Sequence, residues 1–151
     1  DNDSEGEVLI KGNNVISKYW NNENANENII NGWIKTGDIG YLDEENFLFL
    51  KGRKDELINV GGEKVIPFEI EEMVKKLPDV EDVVAYGIES EVFGQVIKLQ
   101  VVKSRGSDLD KSKIIIHCIK NLEKFKIPTK IDFVDKIQKT SYGKVKRFML
   151  E

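Results

Sequence analysis

Ile66-Pro67-Phe68-Glu69-Ile70-Glu71-Glu72-Met73-Val74-Lys75-Lys76-Leu77-Pro78 is the stretch whose reading decides the fold class. A proline at a first helical position has its φ already set and no N–H left unpaired there. Ile66, Ile70, Met73, Val74 and Leu77 then fall on one face, so the stretch predicts an amphipathic helix ending near Pro78. The runs that follow change period. Val83-Val84-Ala85-Tyr86-Gly87-Ile88 reads as a strand, and Val96 to Val102 alternates Val96, Lys98 and Gln100 against Ile97, Leu99 and Val101, as a half-buried strand does. The two are expected to be neighbours in one sheet. Asp110 can cap a second helix, in which Ile115, Cys118 or Ile119, Leu122 and Phe125 recur every three or four residues. Ile131 to Val134 is a short strand beyond Pro128. Two helices flanking a short central sheet describe an α+β domain of roughly a hundred residues.

Upstream of Gly52 the texture is β-rich. Val8-Leu9-Ile10 is apolar and followed by the turn signal Lys11-Gly12-Asn13-Asn14, then Val15-Ile16. Asn21 to Asn31 holds six asparagines and no apolar period, which reads as an exposed, mobile loop or an irregular turn of helix. Ile39-Gly40-Tyr41-Leu42 and Phe47-Leu48-Phe49-Leu50 flank the polar loop Asp43-Glu44-Glu45-Asn46, predicting an antiparallel hairpin.

Composition narrows the class. At 151 residues, 40% hydrophobic and 33% charged, the chain can bury one sizeable core and is neither disordered nor fibrous. No apolar run approaches the roughly 20 residues that span a bilayer. The single cysteine excludes an internal disulfide, and the acidic opening lacks the basic start and apolar stretch of a signal peptide. A reducing, cytoplasmic setting is expected. The net charge of -4 hides a split: Asp1 to Asp110 carries 12 Lys+Arg against 23 Asp+Glu, whereas Lys111 to Arg147 carries 11 against three. A basic last quarter suggests a face that handles anions, or else a solvated lysine-rich helix; without an arginine cluster, nucleic-acid binding is not expected.

The lone His117 has no Cys/His cluster for zinc and no triad partner, and Cys118 falls on the core face of its helix. Three glycine-punctuated polar segments carry more. In Thr36-Gly37-Asp38, glycine permits a close turn, and the aspartate can accept hydrogen bonds from paired hydroxyls or simply stabilise the turn. Gly52 to Lys64 sets cations, Asp55 and the diglycine Gly61-Gly62 around a short apolar strand; diglycine suits a hairpin turn or a backbone that approaches a ligand. Lys139-Thr140-Ser141-Tyr142-Gly143-Lys144-Val145-Lys146-Arg147 places a lysine on a glycine loop, able to meet a phosphate as a point charge. It is not a Walker loop, which needs glycine at Gln138 and a hydroxyl at Val145.

In order and spacing these segments resemble the adenylate-forming superfamily of acyl-CoA synthetases, nonribosomal adenylation domains and luciferases. Gly6-Glu7-Val8 with Tyr19-Trp20 is similar to that family's Gly-Glu-Leu and Gly-Tyr-Trp segment. Gly32-Trp33-Ile34-Lys35-Thr36-Gly37-Asp38 is similar to its Trp-x-x-Thr-Gly-Asp. Gly52-Arg53-Lys54-Asp55 through Gly62 to Glu69-Ile70-Glu71 resembles its Gly-Arg-x-Asp…Gly…Glu-Ile-Glu, and Thr140 to Arg147 its closing Thr-x-x-Gly-Lys-x-x-Arg. Lys64 stands where many members have Arg, Gln138 where Pro is common, and Tyr142 where Ser is frequent.

The resemblance implies an ATP-dependent acid-thiol ligase. A carboxylic acid and ATP give an acyl adenylate and pyrophosphate, and the thiol of CoA, or of phosphopantetheine on a carrier protein, then displaces AMP. It implies that residues 1–54 are the β-rich end of a large N-terminal domain and that residues 55–151 are the mobile C-terminal domain, with Asp55 as the hinge. Asp38 is expected to bind the ribose hydroxyls with help from Arg53. Lys144 is expected to reach the acyl carboxylate and α-phosphate, and Gly62, with Lys64 nearby, to line the thiol path. The family's phosphate loop, acyl pocket and adenine pocket have no counterpart here. The chain therefore reads as a C-terminal piece, inactive alone, whose Mg2+ and most of whose ATP would be held by its own N-terminal domain; an opening without methionine agrees. The alternatives are an adenylation domain that loads a carrier protein and a non-catalytic interaction module that keeps the fold.

Overall fold

The computed structural model describes residues 4–145 and Arg147; the outer ends of the two expected domains, residues 1–3 and 148–151, and Lys146 of the closing motif lie outside the described residues. The chain divides into two compact units, Asp1–Asp55 and Glu56–Glu151.

The first unit is an antiparallel sheet centred on a long strand. β1 (Gly6–Ile10), β2 (Ile29–Ile30) and β4 (Leu48–Arg53) all pair with β3 (Trp33–Leu42). The expected hairpin is present, with Leu42 opposite Leu48. Its loop is closed by Asp43, whose carboxylate accepts from the N–H groups of Glu45 and Phe47 at 3.0 and 2.8 Å, while Asn46 takes a left-handed φ of 64°. The asparagine-rich segment holds one helical turn, α1 (Glu23–Asn26), capped by Asn22. Val15-Ile16 forms no strand. Ile34 is the unit's one buried large apolar side chain among the described residues, whereas Trp20, Phe47, Leu48, Phe49 and Leu50 are exposed.

The second unit has a mixed five-stranded sheet of β5 (Ile58–Val60), β6 (Glu63–Val65), β7 (Val80–Ser90), β8 (Gly94–Lys103) and β9 (Lys130–Phe133). β7 and β8 are antiparallel neighbours, as their patterns predict, and β9 joins β8 in parallel. β7 ends one side of the sheet. Helix α2 (Pro67–Lys75) begins at the expected proline. Its Ile70 and Val74 pack with Val83, Ala85, Ile97, Leu99 and Val101 in the main core, together with Ile114 and Cys118 of α3 (Lys111–Asn121). Asp110 caps α3 by accepting from the Lys113 N–H at 2.8 Å.

Two expectations for α3 need correction. Its buried face is Ile114 and Cys118, with Ile115 only half-buried and Ile119 exposed. Three consecutive isoleucines leave the helix phase open, and packing selects Ile114. The helix also stops at Asn121: Leu122 turns extended (φ −125°, ψ 154°), so Phe125 sits in a separate 3-10 turn. His117 is half-buried and joins the helices, its ring N–H donating to the Met73 carbonyl at 3.0 Å. The opposite face of the sheet is not bare. Val84, Tyr86 and Val102 are covered by Ile137, with Val134 and Val145 alongside, so the polar-looking tail supplies a second small core.

Candidate active site

In the first unit Asp38 and Arg53 lie directly opposite in the β3–β4 register, so their side chains leave the same face. Arg53 Nη1 is 3.4 Å from Asp38 Oδ1 and donates to the Thr36 carbonyl at 3.3 Å. Gly37 makes room for this: its φ is +75°, and a Cβ there would stand 3.3 Å from Arg53 Nη2. The Thr36 hydroxyl donates to the Val8 carbonyl and accepts from the Asp38 N–H, both at 3.0 Å.

The same guanidinium turns its other edge to Asp55, with Nε–Oδ1 at 3.1 Å and Nη2–Oδ2 at 3.4 Å. Hydrogen bonding to Asp55 raises Arg53 above its ordinary range, and the same bond holds the Asp55 carboxyl below the usual aspartate value. The structure thus joins three sequence-predicted residues through one cation. Among the described residues only one Asp38 oxygen is engaged, and loosely, so the carboxylate keeps acceptor capacity suited to neighbouring hydroxyls.

The second unit holds two hairpins. Between β5 and β6, Gly61 and Gly62 form a two-residue turn with φ of 62° and 96°, a geometry needing left-handed residues at both positions. Asn59 Oδ1 accepts from the Gly62 N–H at 3.0 Å, and the Gly61 N–H donates to the Phe93 carbonyl at 2.8 Å. Nothing lies within 4 Å of a Cβ placed on Gly62, so the backbone edge there is open. Lys64, opposite Asn59, is exposed.

Lys144 sits on a different hairpin. The Thr140 N–H donates to the Lys144 carbonyl at 2.7 Å, the Gly143 N–H to the Thr140 carbonyl at 2.9 Å, and the Lys144 N–H to the Thr140 hydroxyl at 3.1 Å. Lys139 pairs with Val145 at the base. The tip is open, with Tyr142 and Lys144 exposed, and among the described residues no carboxylate pairs with the Lys144 ammonium.

Both flanks of this loop are tied down. Lys139 Nζ lies 2.6 Å from Asp82 Oδ2. Arg147 donates through Nη2 to both oxygens of Glu71 at 2.6 and 2.9 Å, through Nη1 to Glu56 at 2.8 Å, and through Nε to the Ala85 carbonyl at 3.3 Å. Glu71 is the one buried charged residue among the described residues, and it also accepts from the Ala85 N–H at 2.8 Å. Glu71 and Arg147 stand in the quoted motifs, yet their sequence reading assigns them no role. A signal exists: Glu71 lies four residues after Pro67 and three before Val74, on the apolar stripe, where an unpaired charge would be costly.

Cys118 is fully buried, and burial pushes its thiol up to about 11, as fits an inert core cysteine. Among the described residues no group of three or more His, Cys, Asp or Glu side chains could hold a metal, and no helix is long and apolar enough to cross a membrane.

Residues 69–144, half the chain, match the family described as AMP-binding enzyme C-terminal domain. The chain belongs to this family. It is 42% identical over 143 residues to a probable CoA ligase of Humulus lupulus and 43% identical over 145 residues to an oxalate–CoA ligase of Saccharomyces cerevisiae, covering 94% of this chain in each case. Among solved structures, o-succinylbenzoate CoA synthetase from Bacillus subtilis, in complex with the acyl-adenylate intermediate, matches all of the chain with a TM-score of 0.91 at 35% identity, over 31% of its own length. ATP-bound MatB from Rhodopseudomonas palustris matches 99% of the chain at a TM-score of 0.94 and 30% identity, over 30% of its length. This AMP-binding enzyme C-terminal domain chain spans 27% of the length of each of the two ligases.

Proposed function

We propose that this chain supplies the C-terminal part of an AMP-forming acid–CoA ligase. A carboxylate oxygen attacks the α-phosphorus of ATP and pyrophosphate leaves. The thiolate of CoA then attacks the acyl carbon and AMP leaves. The observation that carries the reading is Lys144, presented on an open, doubly anchored hairpin at the end of the family match. Charge grows on the transferring phosphoryl centre, so an ammonium placed there stabilises the transition state more than the ground state.

In this reading Asp38 accepts the ribose hydroxyls, Arg53 orients Asp38, and Asp55, paired to Arg53, is the hinge. The open Gly62 backbone and Lys64 face the thiol arm. CoA is favoured over a carrier protein because the similar ligases are named for CoA. Among the described residues no group of three or more His, Cys, Asp or Glu side chains could hold Mg2+, and in this reading the ion is held mainly by the N-terminal domain. The exposed Phe47 to Leu50 row suits a sheet that further chain covers, and a buried reduced thiol fits a cytoplasmic setting.

The test is pyrophosphate exchange on the full-length protein carrying this chain, with oxalate, 2-succinylbenzoate and indoleacetate as trial acids. Lys144→Ala is expected to slow adenylate formation by about 10²–10³-fold and to leave thioester formation from supplied adenylate much less affected. Adenylate formed at the unaltered rate would refute the role.

A further inference from the structure

We infer that Arg147 and Glu71 are positioning residues for Lys144, and that they tether the lysine hairpin to the first residue of the second unit. The inference rests on the proposed role of Lys144 for its functional half and on geometry alone for its structural half. Arg147 follows Lys144 by three residues and uses all three of its nitrogens on fixed groups: the buried carboxylate of Glu71, the Ala85 carbonyl of β7, and Glu56. Glu71 is itself held by the Ala85 N–H, so the guanidinium is seated on helix α2 and strand β7 together. On the other flank Lys139 is fixed to Asp82 of the same strand.

With only seven residues between two anchors on one strand, Lys139 and Arg147, the ammonium has little freedom besides its own side-chain torsions. A catalytic group needs that restriction, since a displacement of about 1 Å can lower a rate by about 10²-fold. Glu56 adds a second consequence, because it directly follows Asp55. A movement of the chain at Asp55 begins at a residue that Arg147 holds, so the loop would move with the unit as one rigid piece.

The structural half is read by amide exchange on this 151-residue chain. Arg147→Met is expected to speed exchange of the Thr140, Gly143 and Lys144 amides at least tenfold while the β7–β8 ladder changes less than threefold. Unchanged exchange in the loop refutes the tether, and so does loss spread evenly over loop and ladder in a chain that stays folded. Should Arg147→Met unfold the unit, Glu56→Ala decides, since Glu56 is partly exposed: loop amides at least threefold faster support the tether, and unchanged ones refute it.

In the full-length protein, Arg147→Met is expected to lower adenylate formation by about 10²-fold and thioester formation from supplied adenylate by less than threefold, with Arg147→Lys recovering part of the loss. Equal losses in both steps would mark a merely structural residue. A Lys144→Ala variant run alongside separates the two ideas: if it adenylates normally, the proposed function fails while the exchange result still stands; if it fails to adenylate but Arg147→Met does not, the positioning fails.

Discussion

Removing the Glu71 carboxylate tests the energetics of the second unit most directly. β7 closes one side of the sheet, so the outward N–H and C=O of Ala85 have no neighbouring strand; Glu71 and Arg147 take that place with a carboxylate oxygen and a guanidinium N–H. Glu71→Ala leaves the buried Ala85 N–H without its acceptor, at about 1–3 kcal/mol. It also strips Arg147 of two charge-assisted bonds, and breaking a buried ion pair from one side costs about 3–5 kcal/mol in all. Arg147→Ala is expected to cost about as much, because it leaves the Glu71 side chain, 7% exposed, buried without its cation. The double variant Glu71→Met/Arg147→Met leaves no buried charge; it unpairs the Ala85 N–H and C=O, at about 1–3 kcal/mol each, and releases the partly exposed Glu56. Its loss should therefore fall well short of the sum of the two single losses, about 6–10 kcal/mol. Urea unfolding followed by the amide signals of β7 and β8 measures all three. Single losses below about 1 kcal/mol, or a double variant whose loss is the sum of the singles to within about 0.5 kcal/mol, would refute the reasoning.

Three further outcomes are expected. Gly62→Ala, at a φ of 96°, is expected to destabilise the second unit by about 1–2 kcal/mol, whereas an exposed Lys64→Ala on the same hairpin should stay within about 0.5 kcal/mol; equal stabilities in urea would contradict the turn assignment. The Asp55 carboxyl, followed by carbon NMR, should titrate with a midpoint below 3.8. Because its folded value is depressed, the Arg53–Asp55 pairing contributes above the ordinary aspartate range and is lost as pH falls through the folded value; Arg53→Leu should return the midpoint towards normal. Cys118 should resist a soluble disulfide reagent until the protein unfolds. Its folded value lies near 11 against an ordinary 9.0, so the unfolded chain releases the proton first and stability falls as pH rises from about 9 to about 11; Cys118→Ala should remove that part of the decline.

How much was legible beforehand follows from the range of the interactions. Pro67 starts α2, Asp110 caps α3 and Asp43 to Asn46 turns the first hairpin, each where the sequence predicts it, and Gly61-Gly62 turns the second, one of the two uses its reading leaves open. These features depend on φ, on a side chain reaching its own backbone, or on period, and all act within a few residues. The candidate residues Asp38, Arg53, Asp55, Gly62, Lys64 and Lys144 could likewise be named from ordered motifs. Long-range pairing could not. The three isoleucines at 114–116 have the same local preference, and only packing against Ile70, Val74 and Leu99 chooses Ile114 for the core. A tail of lysines and small polar residues gives no sign that Ile137 covers the reverse face of the sheet. Nor does spacing show that Arg147 reaches Glu71, 76 residues away, or Glu56, 91 residues away. Local chemistry thus determined the helices, turns and candidate groups, while the buried charge network that holds the lysine loop was decided by tertiary structure, because a desolvated ion pair exists only once the fold has brought its partners together.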